Sequence, residues 1–112
     1  LAFEALVAAL LNAQGFQTKL TPATGDFGVD VVATNGTRRI AVQVKRYGRT
    51  VSADAMGEVL VGMPHYGCNE CMVVTNSTFT RPAIEAAALN PCTLVDRREL
   101  ARWLAQARQL SP

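Results

Sequence analysis

The sequence predicts an α/β protein in which helices cover both faces of one mixed sheet. The first observation is a helical period of apolar side chains near the N-terminus. The second is a pair of short, continuous apolar runs at residues 71–75 and 92–95, typical of strands buried on both faces. The third is the helical pattern between these runs, because strands joined by a helix crossover must pair in parallel. Together they predict a three-layer sandwich, and 112 residues suffice for one such domain.

The first half of the chain is predicted from apolar spacing and two turn signals. Apolar side chains at positions 3, 6, 7, 10 and 11 indicate a first helix, and Gly15 is suited to cap it in the left-handed conformation. An alternating run then indicates a short edge strand. Two further strands are expected to form a hairpin, because Asn35-Gly36 between them favours a tight turn. The elements predicted here are a helix over 1–13 and strands over 16–20, 29–33 and 38–45.

The second half is predicted from capping signals and from the two buried runs. Ser52 can cap a helix with its hydroxyl, and Thr80 followed by Pro82 opens another. Asp96 caps a last helix that packs Trp103 inward. The elements predicted here are helices over 52–63, 81–89 and 96 to about 107, and strands over 71–75 and 92–95.

Composition and cysteine content exclude several classes of protein. A hydrophobic fraction of 49% and a charged fraction of 18% are those of a globular domain, not of a disordered chain. Three cysteines, an odd number, argue against a disulfide framework and suit a reducing compartment. No apolar run has the length of a membrane span, and no basic signal-peptide region is present. We therefore expect a cytoplasmic domain, and because the chain opens directly on a helical pattern, one cut from a longer protein.

Basic residues are concentrated in one part of the chain, although the net charge is only +2. One interpretation is a basic neighbourhood around a functional site, and the other is a solvated hairpin and loop. The CxxC of Cys68 and Cys71 has no second pair, so we interpret it as a core and a loop cysteine and not as half of a zinc site. The basic residues, with one tyrosine among them, are Arg38, Arg39, Lys45, Arg46, Tyr47 and Arg49.

The hairpin carries the residue types that phosphodiester hydrolysis needs. Strand alternation places Gln43 and Lys45 on one face, and the hairpin is expected to bring Asp30 beside them. Asp30 can bind a divalent cation, and the side-chain oxygen of Gln43 and the backbone carbonyl of Val44 can add neutral ligands. Lys45 can then orient the attacking water or stabilise charge on the phosphate. Spacing alone leaves alternatives open, since Asp30 can be an acid satisfied by backbone amides and Lys45 a snorkelling strand residue.

Glu4 is a second candidate acid, because Gln43 leaves this site one negative charge poorer than a second carboxylate would. It sits on the first helix beside the apolar stripe. The alternative is an exposed acid in the first turn, favoured there by the helix dipole.

The sequence resembles the catalytic domain of the Mrr-type restriction endonucleases, a branch of the PD-(D/E)xK nuclease superfamily. The resemblance covers nearly the whole chain. Its pieces are Phe3-Glu4, Gly15-Phe16, GDFGVDVVA with Asp30, IAVQVKRY with Gln43 and Lys45, VVTNSTFTRPAIEAA from Val73, and LVDRRELARWL near the end. In that branch a glutamine takes the place of the usual acid of the ExK motif. The superfamily core, α-β-β-β-α-β, agrees with the predicted order.

The resemblance implies roles for four residues. Asp30 is expected to be a metal ligand, Gln43 a second ligand or water positioner, and Lys45 the catalytic lysine. Glu4 corresponds to the helix-borne acid of such sites and is expected to join the catalytic and metal-binding groups. Asp26 belongs to the same signature loop, where we interpret it as a turn residue.

We therefore expect a single domain over residues 1–112 that acts as a Mg²⁺-dependent, restriction-type DNA endonuclease, with Mn²⁺ as an alternative metal. Its partner is DNA, contacted through Arg46, Tyr47 and Arg49, which leave the strand beside the site. A homodimer and a separate DNA-recognition domain in the full-length protein are further expectations. The competing functions are a same-fold nuclease for junction resolution or repair, and a catalytically inactive DNA-binding module.

Overall fold

The computed structural model describes residues 3–22 and 27–110. In these residues the helices and strands follow one another in the order that the sequence predicts. Predictions on Leu1, Ala2, Gly25 and Asp26 lie outside these residues. The helices are α1 (Phe3–Ala13), α2 (Ala53–Gly62), α3 (Arg81–Ala88) and α4 (Arg97–Leu110), with a 3₁₀ turn at Met63–Tyr66. The strands are β1 (Gln17–Leu20), β2 (Val31–Asn35), β3 (Arg38–Lys45), β4 (Glu70–Thr75) and β5 (Cys92–Val95).

The sheet is mixed, as predicted, and its strand order is β1-β2-β3-β4-β5. β1 pairs with β2 and β2 with β3 in antiparallel register, whereas β3 with β4 and β4 with β5 are parallel. The parallel pairs are those joined by a helix crossover, and the antiparallel pair of β2 and β3 is joined by a two-residue turn. β3 is therefore the strand on which the two halves of the sheet meet.

Two apolar clusters cover the two faces of the sheet. The first contains α1 and α4 residues such as Leu11 and Trp103 together with Val42 of β3. The second contains α2 residues such as Val59 together with Ala41 of β3. Even-numbered residues of β3 thus face α1 and α4, and odd-numbered residues face α2. This alternation directs Gln43 and Lys45 toward α2, as the predicted pairing of these two side chains requires.

The three predicted N-caps are present. The Ser52 hydroxyl accepts a hydrogen bond from the Asp54 N–H at 3.3 Å, and the Thr80 hydroxyl accepts one from the Ala83 N–H at 3.3 Å. The Asp96 carboxylate accepts hydrogen bonds from two N–H groups of the first turn of α4. Each cap satisfies amides that the helix itself cannot pair.

The hairpin differs from the prediction by a shift of the turn and of one strand end. Asn35 pairs with Arg38, so the two turn residues are Gly36 and Thr37 and not Asn35 and Gly36. Gly36 has a φ of 60°, which suits the first central position of a type II′ turn. β2 begins at Val31, two residues later than predicted, because Asp30 leaves the ladder.

Arg38 and Arg39 correct the prediction of a basic neighbourhood that includes them. They open β3, and Lys45 closes it seven residues later, which corresponds to about 23 Å along a strand. Arg38 forms an ion pair with Glu70 at 2.9 Å, and the Arg39 guanidinium donates to the Tyr66 carbonyl at 2.8 Å. Both are surface contacts at the opposite edge of the sheet, so the solvated-hairpin interpretation holds for these two residues.

No helix in the described part of the chain is long and apolar enough to cross a membrane.

Candidate active site

Asp30 closes the ladder between β2 and β3 with its side chain. The Val44 N–H donates to Oδ2 of Asp30 at 2.8 Å, and the Asp30 N–H donates to the Val42 carbonyl at 2.8 Å. The regular pairing ends at Val31, opposite Val42, so the carboxylate takes the place that the next β2 carbonyl would hold. This contact places the Asp30 carboxylate against the end of β3, where the sequence predicts it.

Gln43 and Lys45 converge on an acid that the sequence interpretation missed, Glu58 of α2. The side-chain amide of Gln43 donates to Oε2 of Glu58 at 3.0 Å. The Lys45 ammonium lies 3.4 Å from the same oxygen. No sequence motif indicates Glu58 as a site residue, and only the packing of α2 on β3 places it beside Gln43 and Lys45. A usable signal was its place directly before the inward-facing Val59, on the helix that follows the strand of Gln43 and Lys45.

The Gln43 carbonyl oxygen is the one buried side-chain nitrogen or oxygen atom among the described residues that has no hydrogen-bond partner. The Gln43 side chain is only 4% exposed, so bulk water does not solvate this oxygen. A buried polar atom left unpaired is costly, and native proteins rarely keep one without a reason. The oxygen is therefore available to a cation or to a bound water.

Lys45 is held in its charged form. Burial lowers the pKa of its ammonium, but the charge of Glu58 and the contacts with Tyr47 and Glu58 outweigh burial, so the pKa is raised above 10.5. A lysine with a raised pKa is protonated at neutral pH and cannot act as a general base there. It can donate hydrogen bonds and neutralise negative charge.

Two glycines allow the loop before Asp30 to lie directly against α2. A Cβ placed on Gly62 would lie 1.8 Å from the Phe27 carbonyl oxygen, and one on Gly28 would lie 3.0 Å from the Glu58 carbonyl oxygen. Gly28 also has a φ of 75°, in the left-handed region that side chains disfavour. This close approach fixes the Asp30 loop and the Glu58 turn of α2 relative to each other.

Glu4 is not brought into contact with these residues. It is exposed in the first turn of α1, and α1 covers the opposite face of the sheet from α2. Its carboxylate makes no hydrogen bond or ion pair with another residue of the described part. Its neighbour Phe3 packs against the apolar cluster on the α1 and α4 face of the sheet. The role of Glu4 stays a prediction.

The three predicted DNA contacts follow β3 at the same edge. Arg46 is exposed, and the Tyr47 ring lies 5.5 Å from the Lys45 ammonium and 5.1 Å from the Arg49 guanidinium. The Tyr47 N–H donates to the Asn76 side chain at 2.9 Å, which ties this segment to the end of β4. A pocket of about 240 Å³ lies beside them, lined by residues that include Lys45, Tyr47, Arg49 and Glu58.

Arg97 and Arg98 lie at this edge too, and the sequence interpretation did not include them. They follow β5, whose carboxyl end lies at the same edge as those of β3 and β4 because the three strands are parallel. Both are exposed, and the Arg97 N–H donates to the Ser77 carbonyl at 3.0 Å. The carboxyl edge of the parallel strands therefore carries exposed arginines after β3 and after β5.

The sequence profile of a family described as Mrr_cat, restriction endonuclease, matches residues 1–104. The chain belongs to this family. No curated protein gives a significant match to this chain.

Solved structures show the same fold. The chain is similar to the DNA modification-dependent restriction endonuclease AspBHI, with a TM-score of 0.74 and 19% identity over 96% of this chain and 33% of that one. It is similar to the MspJI restriction endonuclease in complex with a 27-mer oligonucleotide, with a TM-score of 0.67 and 22% identity over 96% of this chain and 28% of that one. It is also similar to AF1548, a protein of unknown function, with a TM-score of 0.71 and 22% identity over 83% of this chain and 55% of that one. The chain thus spans about half of AF1548 and a third or less of the two endonucleases.

The donor set of this Mrr_cat site fits a hard divalent cation. Asp30 supplies a carboxylate and Gln43 an unpaired neutral oxygen, and the Val44 carbonyl points to the Asp30 side, as its N–H does. Oxygen ligands with one or two carboxylates suit Mg²⁺, which keeps several waters. In the described ranges no three His, Cys, Asp or Glu side chains form a metal-binding group. Amide and peptide oxygens would therefore complete the set.

Proposed function

We propose that this chain is the catalytic domain of a divalent-metal-dependent, restriction-type DNA endonuclease, whose site consists of Asp30, Gln43, Val44 and Lys45. The observation that carries the proposal is the buried carbonyl oxygen of Gln43, which has no partner beside the charged pair of Lys45 and Glu58. Membership in the restriction endonuclease family supports DNA as the substrate.

The residues of the proposed site have different roles in phosphodiester hydrolysis. Asp30, the Gln43 oxygen and the Val44 carbonyl would hold the cation, with Mg²⁺ as the expected ion and Mn²⁺ as an alternative. When bound, such an ion neutralises charge on the phosphoryl oxygens and promotes attack by water. The protonated Lys45 donates to a phosphoryl oxygen and stabilises the charge that develops there. Glu4 is kept in the proposal as a further acid, supported by its match to the helix-borne acid of the superfamily.

Cleavage of supercoiled plasmid tests this function directly. We expect nicked or linear product with Mg²⁺ or Mn²⁺ and none with EDTA, because the protein groups alone cannot neutralise the phosphoryl charge. Comparison of plain, methylated and branched duplexes separates restriction from junction resolution or repair. A chain that binds DNA and the cation but cuts none of these substrates would be the inactive DNA-binding module.

DNA binding should depend on salt through Arg46 and Arg49. Each substitution to alanine should weaken binding and reduce the slope of log K against log salt by about 1, because one phosphate contact and its released counterions are lost. The measurement is affinity for a short duplex in EDTA at several salt concentrations. Arg38→Ala is the matched control, since Arg38 pairs with Glu70 at the opposite edge. Wild-type slopes in both R46A and R49A would remove these residues from the interface.

We further propose that a separate domain reads the DNA and that two copies of this domain cut the two strands. The two endonucleases of similar fold are about three times as long as the matched region, which supports a recognition domain outside this chain. One chain presents one such site in its described part, and two antiparallel strands call for two. The three cysteines are free, which supports the reducing cytoplasm as the place of action.

A further inference from the structure

Glu58 makes the contacts of a residue that organises the site. One carboxylate oxygen, Oε2, accepts from the Gln43 amide at 3.0 Å and lies 3.4 Å from the Lys45 ammonium. The Lys45 side chain is 17% exposed and the Glu58 side chain 50%. The ion pair alone is of the partly exposed kind that adds little stability. The contribution of this ion pair is therefore expected in the position that it gives to the side chains around Glu58.

The contact with Glu58 decides which way the Gln43 amide points. A carboxylate only accepts hydrogen bonds, so the NH₂ group of Gln43 must face it, and the reverse orientation would set a carbonyl against a negative charge. With the NH₂ group held by α2, the carbonyl oxygen is turned away from Glu58. That oxygen is the buried atom without a partner in the described part of the chain. Without Glu58, nothing in these contacts would prevent the amide from turning over.

Glu58 also changes the charge of the site. Asp30 and Lys45 alone cancel, whereas with Glu58 the group carries one net negative charge. A divalent cation bound by a neutral amide oxygen and a single carboxylate gains from a second negative charge nearby. Glu58 supplies this charge from a helix, and Gln43 can stay neutral.

The backbone keeps Glu58 in place relative to Asp30. A Cβ on Gly28 would lie 3.0 Å from the Glu58 carbonyl oxygen and 3.2 Å from the Glu58 Cβ. The loop that leads to Asp30 therefore packs on the same turn of α2 that carries Glu58. A residue held on a rigid helix is suited to orient a neighbouring ligand.

From these contacts we propose that Glu58 is a positioning residue, which orients the Gln43 amide so that its carbonyl oxygen faces the cation and which holds Lys45 beside it. This rests on the proposed function, since it assigns a role within that site.

The test combines cation binding with a signal from Gln43 itself. Titration of MnCl₂ into the DNA-free protein gives the affinity, and the ¹⁵N–¹H signals of the Gln43 side chain, identified by their loss in Gln43→Ala, report its orientation. We expect Glu58→Ala to weaken Mn²⁺ binding by about 10- to 100-fold and to shift the Gln43 signals toward those of a free glutamine. Glu58→Gln, which keeps an oxygen acceptor but no charge, should restore the Gln43 signals and only part of the affinity. Glu85→Ala is the control, because Glu85 is an exposed acid on α3 paired with Arg81.

Each outcome has a defined meaning. Mn²⁺ affinity and Gln43 signals that stay at wild-type values in E58A would overturn the positioning role and leave the proposed function standing. Weakened binding with unchanged Gln43 signals would make Glu58 a direct ligand, which also overturns it. A wild-type chain that binds no Mn²⁺ would refute the cation site of the proposed function, and with it the role of Glu58 toward a cation. Thermal unfolding of each variant shows that an effect does not arise from loss of the fold.

Discussion

Replacing Lys45 with alanine should lower the rate of DNA cleavage by about 100- to 1,000-fold, the usual loss when one donor to a developing negative charge is removed. The pKa of Lys45 is raised by Glu58 and Tyr47 against the effect of burial, and the ammonium lies beside Gln43 and Glu58, next to the proposed cation site. The measurement is single-turnover cleavage of plasmid at saturating Mg²⁺. DNA affinity should fall far less, since Lys45 is 17% exposed and the exposed arginines remain.

Lys19→Ala is the matched control for this experiment. Lys19 is the other lysine of the chain and lies exposed on the edge strand β1, two strands away from β3. The K19A variant should cleave at the wild-type rate. Equal rates for K45A and the wild type would show that the activity belongs to a different site or to a contaminant.

Replacing Gly62 with alanine should damage both stability and cleavage. The new Cβ would lie 1.8 Å from the Phe27 carbonyl oxygen, so the loop or the helix end must move. Overpacking of this kind costs about 3 kcal/mol of the free energy of unfolding, at the upper end of the usual range. The displaced loop leads to Asp30, and an error of about 1 Å in an active site can lower the rate by about 100-fold. Urea unfolding and cleavage assays below the unfolding temperature measure the two effects separately.

Gly57→Ala separates this contact from the general effect of removing a glycine. Gly57 lies on the same helix, and a Cβ there would meet nothing within 4 Å. Alanine in a helix interior is favoured over glycine by about 0.5–1 kcal/mol, so G57A should be slightly more stable than the wild type. If G62A behaved like G57A, the packing of the Asp30 loop on α2 would not matter for the site.

The sequence was sufficient wherever local chemistry decides the structure. Ser52, Thr80 and Asp96 cap helices as predicted because capping needs only a side chain and its own first turn. The mixed pairing of the sheet follows from the helix crossovers, and Gln43 and Lys45 share a face because strand periodicity places them there. The predictions were wrong where the local structure depends on how two or more helices or strands pack together. The hairpin turn moved to Gly36 and Thr37 because its register depends on how β2 and β3 pair.

Glu58 and Arg38 show why part of the site could not be predicted. Glu58 reaches Gln43 only because α2 packs back onto β3, a tertiary contact between residues 15 positions apart in sequence. Arg38 is closer to Gln43 along the chain than Glu58 is, yet it lies at the opposite end of the same strand. Proximity in sequence therefore included Arg38 in the basic cluster wrongly, because an extended strand separates residues that are close in sequence. It did not indicate Glu58, because only the packing of a helix brings this distant residue to the site.

The hydrogen bond from the Val44 N–H gives the Asp30 carboxylate a structural role beside its proposed role as a metal ligand. Many residues of active sites can be exchanged with a gain in stability, because they are chosen for chemistry and not for packing. Asp30 differs, since its removal leaves a backbone amide at the end of the ladder without this acceptor. A relative of this chain without catalytic activity would still be under pressure to keep an acceptor at this position. Retention of Asp30 in a relative is therefore weak evidence of activity, whereas retention of Lys45, which closes no ladder bond with its side chain, is the more telling sign.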